Sequence, residues 1–285
     1  MPPLQGRVPV SRQLAAPFRS WRWSRDLDRD LDDRHARDRL DEVTDVLQRP
    51  PPPPRLLKVG RLALPIVRPR RLLLNARVAR AVMALPTVRF EVSGSAGGRA
   101  MVGSMLHFCG GHKARHLRAR SVYVVPADGQ PYPGRRAHSR RNAVNRIKSA
   151  GVRIESVSPD RLVADTSLHT LGVCQHAPGC DGLTLVAFDG DGDGDGDGDG
   201  GLLAISHVHV DGPVAELHQA VHAEDNPLTD PLRYAMFAAL VKELAVNEVL
   251  LMVVFRDYLW SSKGVRTYQN VLGYRPVNLR VRLKY

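Results

Sequence analysis

Histidines and one glutamate recur at two-residue intervals on either side of a turn signal, Asp211-Gly212. An Asp-Gly pair between two alternating apolar segments is a strong signal for a two-residue β-hairpin turn. A turn at these two residues places His207 opposite Glu216, on one face of the hairpin. An imidazole beside a carboxylate can accept a proton, and the carboxylate then stabilises the resulting cation. The sequence therefore predicts His207 and Glu216 as a general-base pair.

Two further histidines, His218 and His222, lie two and six residues after Glu216 along the second strand. Alternation along a strand predicts that they share the face of Glu216. Polar groups on one face of a hairpin indicate either an active site or a solvent-exposed face, and both interpretations stay open. A metal site is less favoured because the ligands are spread along a strand, so we expect no bound metal.

The elements that must position these residues follow from hydrophobic periodicity in the C-terminal half. Alternating or continuous apolar segments predict strands, and apolar residues at 3.6-residue spacing predict helices. Three consecutive strands flanked by helices imply an α/β fold with a mixed central sheet covered on both faces. The predicted strands are 152–157, 183–188, 202–210, 214–222, 248–255 and 277–283, and the predicted helices are 158–171, 229–246 and 261–272.

Positive charge is concentrated in the middle of the chain. Of 41 basic and 29 acidic residues in 285, residues 51–150 hold twenty basic and two acidic ones. Ser139 and Gly151 predict the ends of a basic helix within this region. Such a charge attracts phosphate groups of nucleic acid, CoA or lipid, although a solvated helix face would look the same. The predicted anion-binding residues are Arg135, Arg136, Arg140, Arg141, Arg146 and Lys148.

Residues 1–85 do not show the pattern of a folded domain. Their apolar residues lack regular spacing, and five consecutive prolines at 50–54 interrupt any helix or sheet. We therefore expect a largely disordered, basic N-terminal extension. The domain is expected at 86–285, with a basic preface at 86–150 and the core at 151–285.

The composition excludes some classes of protein. The longest apolar runs, such as Val249 to Phe255, have seven or eight residues, too short for a transmembrane helix. Three cysteines are too few for a disulfide scaffold and suit a reducing compartment. We therefore expect a cytoplasmic protein.

The end of the last predicted helix carries a family signal. Residues 268–276 read Tyr-Gln-Asn-Val-Leu-Gly-Tyr-Arg-Pro, and the strand and helix order before them matches. This stretch resembles the GNAT acyltransferase superfamily, in which the last helix commonly ends in an aromatic residue followed by Leu-Gly-Phe/Tyr. It is also similar to the Fem-type transferases, which build on the same lobe. The resemblance covers about residues 150–285.

The resemblance implies direct transfer of an acyl group from acyl-CoA, a co-substrate, to an unknown amine acceptor, with no permanently bound cofactor. Direct transfer needs positioning and a general base rather than a covalent intermediate. The roles it implies are a base made of Glu216 with His207, an acid for the leaving thiolate at Tyr268 or Tyr274, and donor binding near Asn226, Thr229 and Arg233.

One segment departs from that family. GNAT proteins bind the CoA pyrophosphate with a glycine-rich loop before a helix, whereas residues 222–231 here contain no glycine and three acids. Either this loop binds CoA differently or CoA binding has been lost. The alternative function is a catalytically inactive GNAT-like scaffold that binds RNA or another polyanion.

Overall fold

The chain folds around one large mixed sheet. In a computed structural model, the residues described are 56–59, 62–65, 77, 79–108, 119–131, 138–157, 182–190, 201–223, 226–256 and 258–284. The strands are β1 (Leu56–Val59), β2 (Leu62–Pro65), β3 (Thr87–Val92), β4 (Ala119–Val124), β5 (Arg153–Val157), β6 (Gly182–Phe188), β7 (Leu202–Asp211), β8 (Val214–His222), β9 (Leu251–Val254) and β10 (Arg275–Leu283). The helices are α1 (Ala96–Phe108), α2 (His138–Ser149), α3 (Thr229–Val246) and α4 (Lys263–Leu272), with a 3-10 turn at Tyr258–Trp260.

Eight strands form the sheet in the order β3-β10-β4-β9-β8-β7-β6-β5. The pairs β3–β10 and β8–β9 are parallel, and the others are antiparallel. The predicted α/β class with a mixed sheet is therefore confirmed. Strands β3 and β4 come from residues 86–150, and β4 lies between β9 and β10. The basic preface thus contributes to the centre of the sheet as well as to its edge.

Each face of the sheet has its own core. On one face, Leu232, Met236 and Leu240 of α3 pack with Tyr123 and Met252, and α2 and α4 join the same cluster. On the other face, Met101 of α1 packs against the apolar side chains of β3, β9 and β10. The helices thus cover both faces of the sheet, as predicted.

Most predicted elements of the C-terminal half are confirmed within two or three residues. Helix α4 begins where the Ser262 hydroxyl accepts a hydrogen bond from the Val265 N–H, and it ends at Gly273 with a φ of +98°. Glycine adopts this left-handed conformation without steric cost. Gly151, at the end of α2, also has positive φ. The helix predicted at 158–171 lies outside the described residues.

Within residues 1–85 the structure describes one hairpin and one short buried segment. Strands β1 and β2 pair in an antiparallel hairpin inside the region expected to be largely disordered. Ala81, Val82 and Leu85 are also buried, in a small cluster with Ala119 and Tyr258. Apolar residues just upstream of β3 thus pack against the 3-10 turn. Among the described residues, no helix is both long enough and apolar enough to span a lipid bilayer.

Two glycines of α1 provide a matched test of packing. A Cβ on Gly98 would collide with the Ser93 carbonyl oxygen, and Asp211 Oδ2 would lie 3.1 Å from it, whereas a Cβ on Gly103 would meet nothing within 4 Å. We predict that Gly98→Ala lowers the free energy of unfolding by about 1–3 kcal/mol through overpacking. Gly103→Ala should raise it by about 0.4–1 kcal/mol, because alanine restricts the unfolded chain. Urea titrations of the two variants measure both effects, and equal effects would contradict the close approach of α1.

Candidate functional site

Strands β8 and β9 form a fork. They pair in parallel over three residues only, from Val214 with Leu251 to Glu216 with Val253. Strand β8 continues to His222, while β9 ends at Val254. A gap therefore opens between the two strands immediately after Glu216.

The hairpin that leads into β8 turns one residue later than predicted. Asp211 pairs with Val214, so the turn residues are Gly212 and Pro213. Gly212 has a φ of +58°, as at the first central position of a type II′ turn, which favours glycine there. This register places His209 opposite Glu216. The predicted cross-strand pair of His207 with Glu216 is therefore wrong.

A β-bulge lies at His218. His207 pairs with Gln219 and Val208 pairs with Leu217, so His218 is the extra residue of β8. A bulge reverses the alternation of side chains beyond it. His218 remains on the face of Glu216, whereas His222 lies on the opposite face with Arg233 of α3 as its charged neighbour. The expectation that His222 shares the face of Glu216 is wrong for this reason.

Asp211 fixes α1 across the hairpin. Its carboxylate accepts hydrogen bonds from the Ser93 N–H at 2.6 Å and from the Ser95 hydroxyl at 2.8 Å. The Ser95 hydroxyl in turn accepts one from the Gly98 N–H at 2.9 Å, so it caps the start of α1. This anchoring brings Ser104, two turns further along α1, onto Glu216.

Glu216 is completely buried at the base of the fork. Its Oε1 accepts a hydrogen bond from the Ser104 hydroxyl, and its Oε2 lies 2.7 Å from His209 Nδ1. His218 Nδ1 lies 3.7 Å from Oε1 and 3.2 Å from Ser104 Oγ. His218 is 17% exposed, so its ring links the buried carboxylate to the surface.

These contacts keep the carboxylate ionised. Burial by itself raises the pKa of Glu216, but hydrogen bonds from His209, His218 and Ser104 outweigh it, and the pKa is lowered from 4.5. An ionised carboxylate can only accept hydrogen bonds. The hydrogen bonds around Glu216 are therefore best satisfied with a proton on Nδ1 of both His209 and His218. In this assignment, His218 carries a lone pair on Nε2.

A third imidazole completes a cluster of three histidine rings. His207 Nδ1 lies 2.7 Å from the Thr184 hydroxyl oxygen. The ring centroids are separated by 4.7 Å for His209 and His218, 5.0 Å for His207 and His209, and 6.2 Å for His207 and His218. The predicted base residue His207 therefore lies beside the site, with Thr184 as its partner.

The two candidate acids lie in different surroundings. Tyr274 is buried in the core against Tyr123 and Phe237, and its hydroxyl contacts Met252 Sδ at 3.7 Å. The Tyr268 hydroxyl donates to the Arg233 carbonyl oxygen at 3.3 Å, at the start of α3. Burial raises the pKa of Tyr268 well above its usual value, although Arg233 opposes this. Tyr268 therefore remains protonated at neutral pH.

The predicted donor-binding residues gather at the start of α3. Asn226 Oδ1 accepts from the Leu228 N–H at 2.7 Å, and the Thr229 hydroxyl donates to the Asn226 carbonyl at 2.7 Å. Arg233 lies 3.3 Å from the Asp230 carboxylate, at the surface. The Thr229 and Leu232 N–H groups are bonded within the turn, and Pro231 has none, so this helix start presents few donors to a phosphate.

The described part of the predicted anion-binding set lies on α2. This helix packs on the core through Ile147 and Val144, as the sequence predicts. A cleft of about 460 Å³ between α2 and α3 is lined by Arg141 and Lys242, among other polar residues. Arg141, Arg146 and Lys148 are exposed and Arg140 is partly exposed, whereas Arg135 and Arg136 lie outside the described residues.

The sequence analysis missed two residues of the site, Ser104 and His209. Ser104 lies 112 residues from Glu216, on a helix whose mixed Gly, Met and Ser composition indicates no function. His209 alternates with His207, so a correct turn assignment would have found it. The signal for that assignment is the Gly-Pro step, since Gly212 suits the first turn position.

Comparison with known proteins finds likeness in structure only. No protein-family model matches the chain, and no curated protein matches it in sequence. The C-terminal domain (DUF2156) of a putative lysylphosphatidylglycerol synthetase from Agrobacterium fabrum is similar, with 12% identity and a TM-score of 0.43 over 56% of this chain and 58% of that one.

Two other solved structures are similar over a comparable share of this chain. FemX has 9% identity and a TM-score of 0.41 over 57% of this chain and 60% of that one. A GCN5-related N-acetyltransferase from Kribbella flavida has 16% identity and a TM-score of 0.33 over 56% and 54%. The chain thus spans less than two thirds of the length of each. The GNAT and Fem types that the sequence resembles both occur among these structures.

His222 gives the protein a measurable pH dependence. Burial, with the nearby Arg233 charge, lowers its pKa from 6.5 to about 4. Between these values the unfolded chain binds a proton that the folded protein does not, so stability falls on acidification. We predict that His222→Gln flattens the fall in the free energy of unfolding between pH 6.5 and 5, by at most about 1.4 kcal/mol per pH unit.

The pH range of this test ends at pH 5 because Glu216 also affects stability at lower pH. Its contribution to the free energy of unfolding is lost as the pH falls below 4.5, the pKa of the carboxyl in the unfolded chain. Urea titrations at intervals of half a pH unit measure the slope. His138→Gln, at an exposed position of α2, is the matched control and should keep the parent slope. A parent slope in His222→Gln would contradict the assignment.

Proposed function

We propose that this protein transfers an acyl group directly to an amine at the fork between β8 and β9. The observation that carries the proposal is the position of His218, a partly exposed imidazole at the apex of the fork, next to a buried and ionised carboxylate. An amine nucleophile must lose a proton to attack a carbonyl. A neutral imidazole with a lone pair facing away from the carboxylate can accept that proton at neutral pH.

His218 is the general base in this proposal. Its Nδ1 faces Ser104 and Glu216, and Nε2 is the atom that accepts the proton from the amine in this scheme. The negative charge of Glu216 then stabilises the imidazolium, as the third member of a relay does. Ser104 is 5% exposed and donates to Glu216, so it is a positioning residue rather than a nucleophile.

The acyl donor lies in the gap. Beyond Glu216, β8 no longer pairs with β9, and we propose that an extended donor arm lies along this edge in the manner of an added strand. We propose acyl-CoA as the donor, bound near Asn226, Thr229 and Arg233 with its arm along β8 and its thioester in the gap beside His218. The start of α3 carries Asp230 and few unbonded N–H groups, so the arm rather than the pyrophosphate supplies the binding energy there.

Proton transfers balance the reaction. The amine nitrogen forms a bond to the acyl carbon as its proton passes to His218 Nε2, and the carbon–sulfur bond then breaks. The leaving thiolate takes a proton from Tyr268, which is protonated at neutral pH. The tyrosinate then regains a proton as His218 releases its own to solvent, so amine and thioester become amide and thiol. The buried hydroxyl of Tyr274 has no role in this scheme.

The first kinetic prediction concerns the base. We predict that His218→Gln lowers kcat by about 10²–10⁴-fold, the usual contribution of a general base, with the KM for the donor unchanged. Glu216→Gln keeps the shape of the side chain but removes the negative charge that stabilises the His218 imidazolium. Its kcat should therefore fall by about the same factor as that of His218→Gln. His207→Gln, which changes the ring bonded to Thr184, should reduce kcat less than tenfold. Steady-state rates with acetyl-CoA and a panel of amines measure these effects. The reverse order would restore His207 as the base.

The second prediction concerns the donor. Acetyl-CoA at about 100 times its Kd should stabilise the protein by about 2.7 kcal/mol, visible as a rise in Tm. Acetyl-pantetheine, which lacks the nucleotide phosphates, should bind with a Kd within about tenfold of that of acetyl-CoA. Absence of any shift with either donor, together with tight and steeply salt-dependent RNA binding, would support the inactive polyanion-binding scaffold instead.

A further inference from the structure

The residues around Glu216 also have the arrangement of a metal site. His209, Glu216 and His218 each offer a ligand atom, and these three atoms lie within 4.8 Å of one another. The sequence spreads the same ligands along two strands. The hairpin register and the bulge bring them together, because His209 lies opposite Glu216 and His218 stays on the same face.

The distances suit a small tetrahedral ion. Zinc bonds to nitrogen and oxygen are about 2.0–2.1 Å, so ligand atoms in a tetrahedral site lie about 3.3 Å apart. Here His209 Nδ1 is 2.7 Å from Glu216 Oε2, and His218 Nδ1 is 3.7 Å from Oε1. All three ligand atoms lie within 4.8 Å of one another, so side-chain shifts of about an ångström would bring them to the tetrahedral spacing.

The ligand chemistry selects the class of metal. Two imidazoles and one carboxylate are a common zinc ligand set that keeps a fourth position open. Mg²⁺ and Ca²⁺ prefer oxygen ligands, so they are disfavoured. The Ser104 hydroxyl bonded to Glu216 is the outer-shell partner that orients a metal-binding carboxylate. The partial exposure of His218 provides a path for entry.

We propose that His209, Glu216 and His218 bind one Zn²⁺ ion, and that this ion switches off the base of the proposed reaction. A metal on Nδ1 of a neutral imidazole leaves the ring proton on Nε2. His218 then has no lone pair to accept a proton from the amine. The inhibitory part of this inference rests on the proposed function, whereas the metal site itself does not.

Titration of the metal-free full-length protein tests the site without any need for activity. Isothermal titration with ZnCl₂ should show one equivalent bound, and Co²⁺ should give the visible absorption of a tetrahedral site. MgCl₂ should show no binding. The three cysteines, Cys109, Cys174 and Cys180, are changed to serine in a parallel titration so that thiols cannot supply the signal.

Two variants separate the ligands from the rest of the surface. His218→Gln changes the most exposed of the three ligands, so it should disturb the fold least, and it should weaken Zn²⁺ binding by about 100-fold or more. His138→Gln removes an exposed histidine on α2 and should bind as the parent protein does. Absence of one-equivalent binding in the parent, or equal binding in His218→Gln and the parent, would overturn the metal site.

Turnover distinguishes the two parts of the inference. Stoichiometric loss of acyl transfer at one equivalent of Zn²⁺, reversed by a chelator, supports the switch. Bound Zn²⁺ with full turnover overturns the switch and leaves the metal site intact. A protein that binds Zn²⁺ but transfers no acyl group under metal-free conditions contradicts the proposed function, and the titration still supports the site.

Discussion

The burial of one ionised carboxylate constrains the whole of this site. Glu216 has no solvent exposure, and an unpaired charge in such a position would cost several kcal/mol. It is tolerated because Ser104 and His209 donate to its two oxygens while His218 lies nearby. These partners come from three elements, α1, β7 and β8. The features that fix the register, or relative positions, of these elements therefore also maintain the hydrogen bonds that stabilise the Glu216 carboxylate.

Three local features provide that register. The Gly212-Pro213 turn sets His209 opposite Glu216, the bulge keeps His218 on the same face, and Asp211 anchors the start of α1. Each acts on the backbone rather than on the reacting groups. The fork between β8 and β9 begins at the same place, so the open edge and the polar cluster adjoin. The chemistry of the site thus depends on main-chain geometry within a few residues of the hairpin.

Much of the C-terminal sheet could be predicted from the sequence, because its strands alternate and its helices have clear ends, such as Ser262 and Gly273. The exact register could not, since Asp-Gly and Gly-Pro are overlapping turn signals and a one-residue difference changes every cross-strand partner. Strands β3 and β4 lie in a region where arginine and glycine obscure the apolar pattern. Ser104 reaches Glu216 only through tertiary packing, which no local pattern reports.

The position of β4 has a consequence for how this protein forms. It lies between β9 and β10, although about 130 residues separate it from β9 in the sequence. During synthesis β4 can pair with neither neighbour until β9 and β10 have been made. Contacts this distant in sequence slow folding and leave strand edges open to wrong partners. The edges of β4 therefore stay unpaired in the nascent chain until segments about 130 and 150 residues further along have been made.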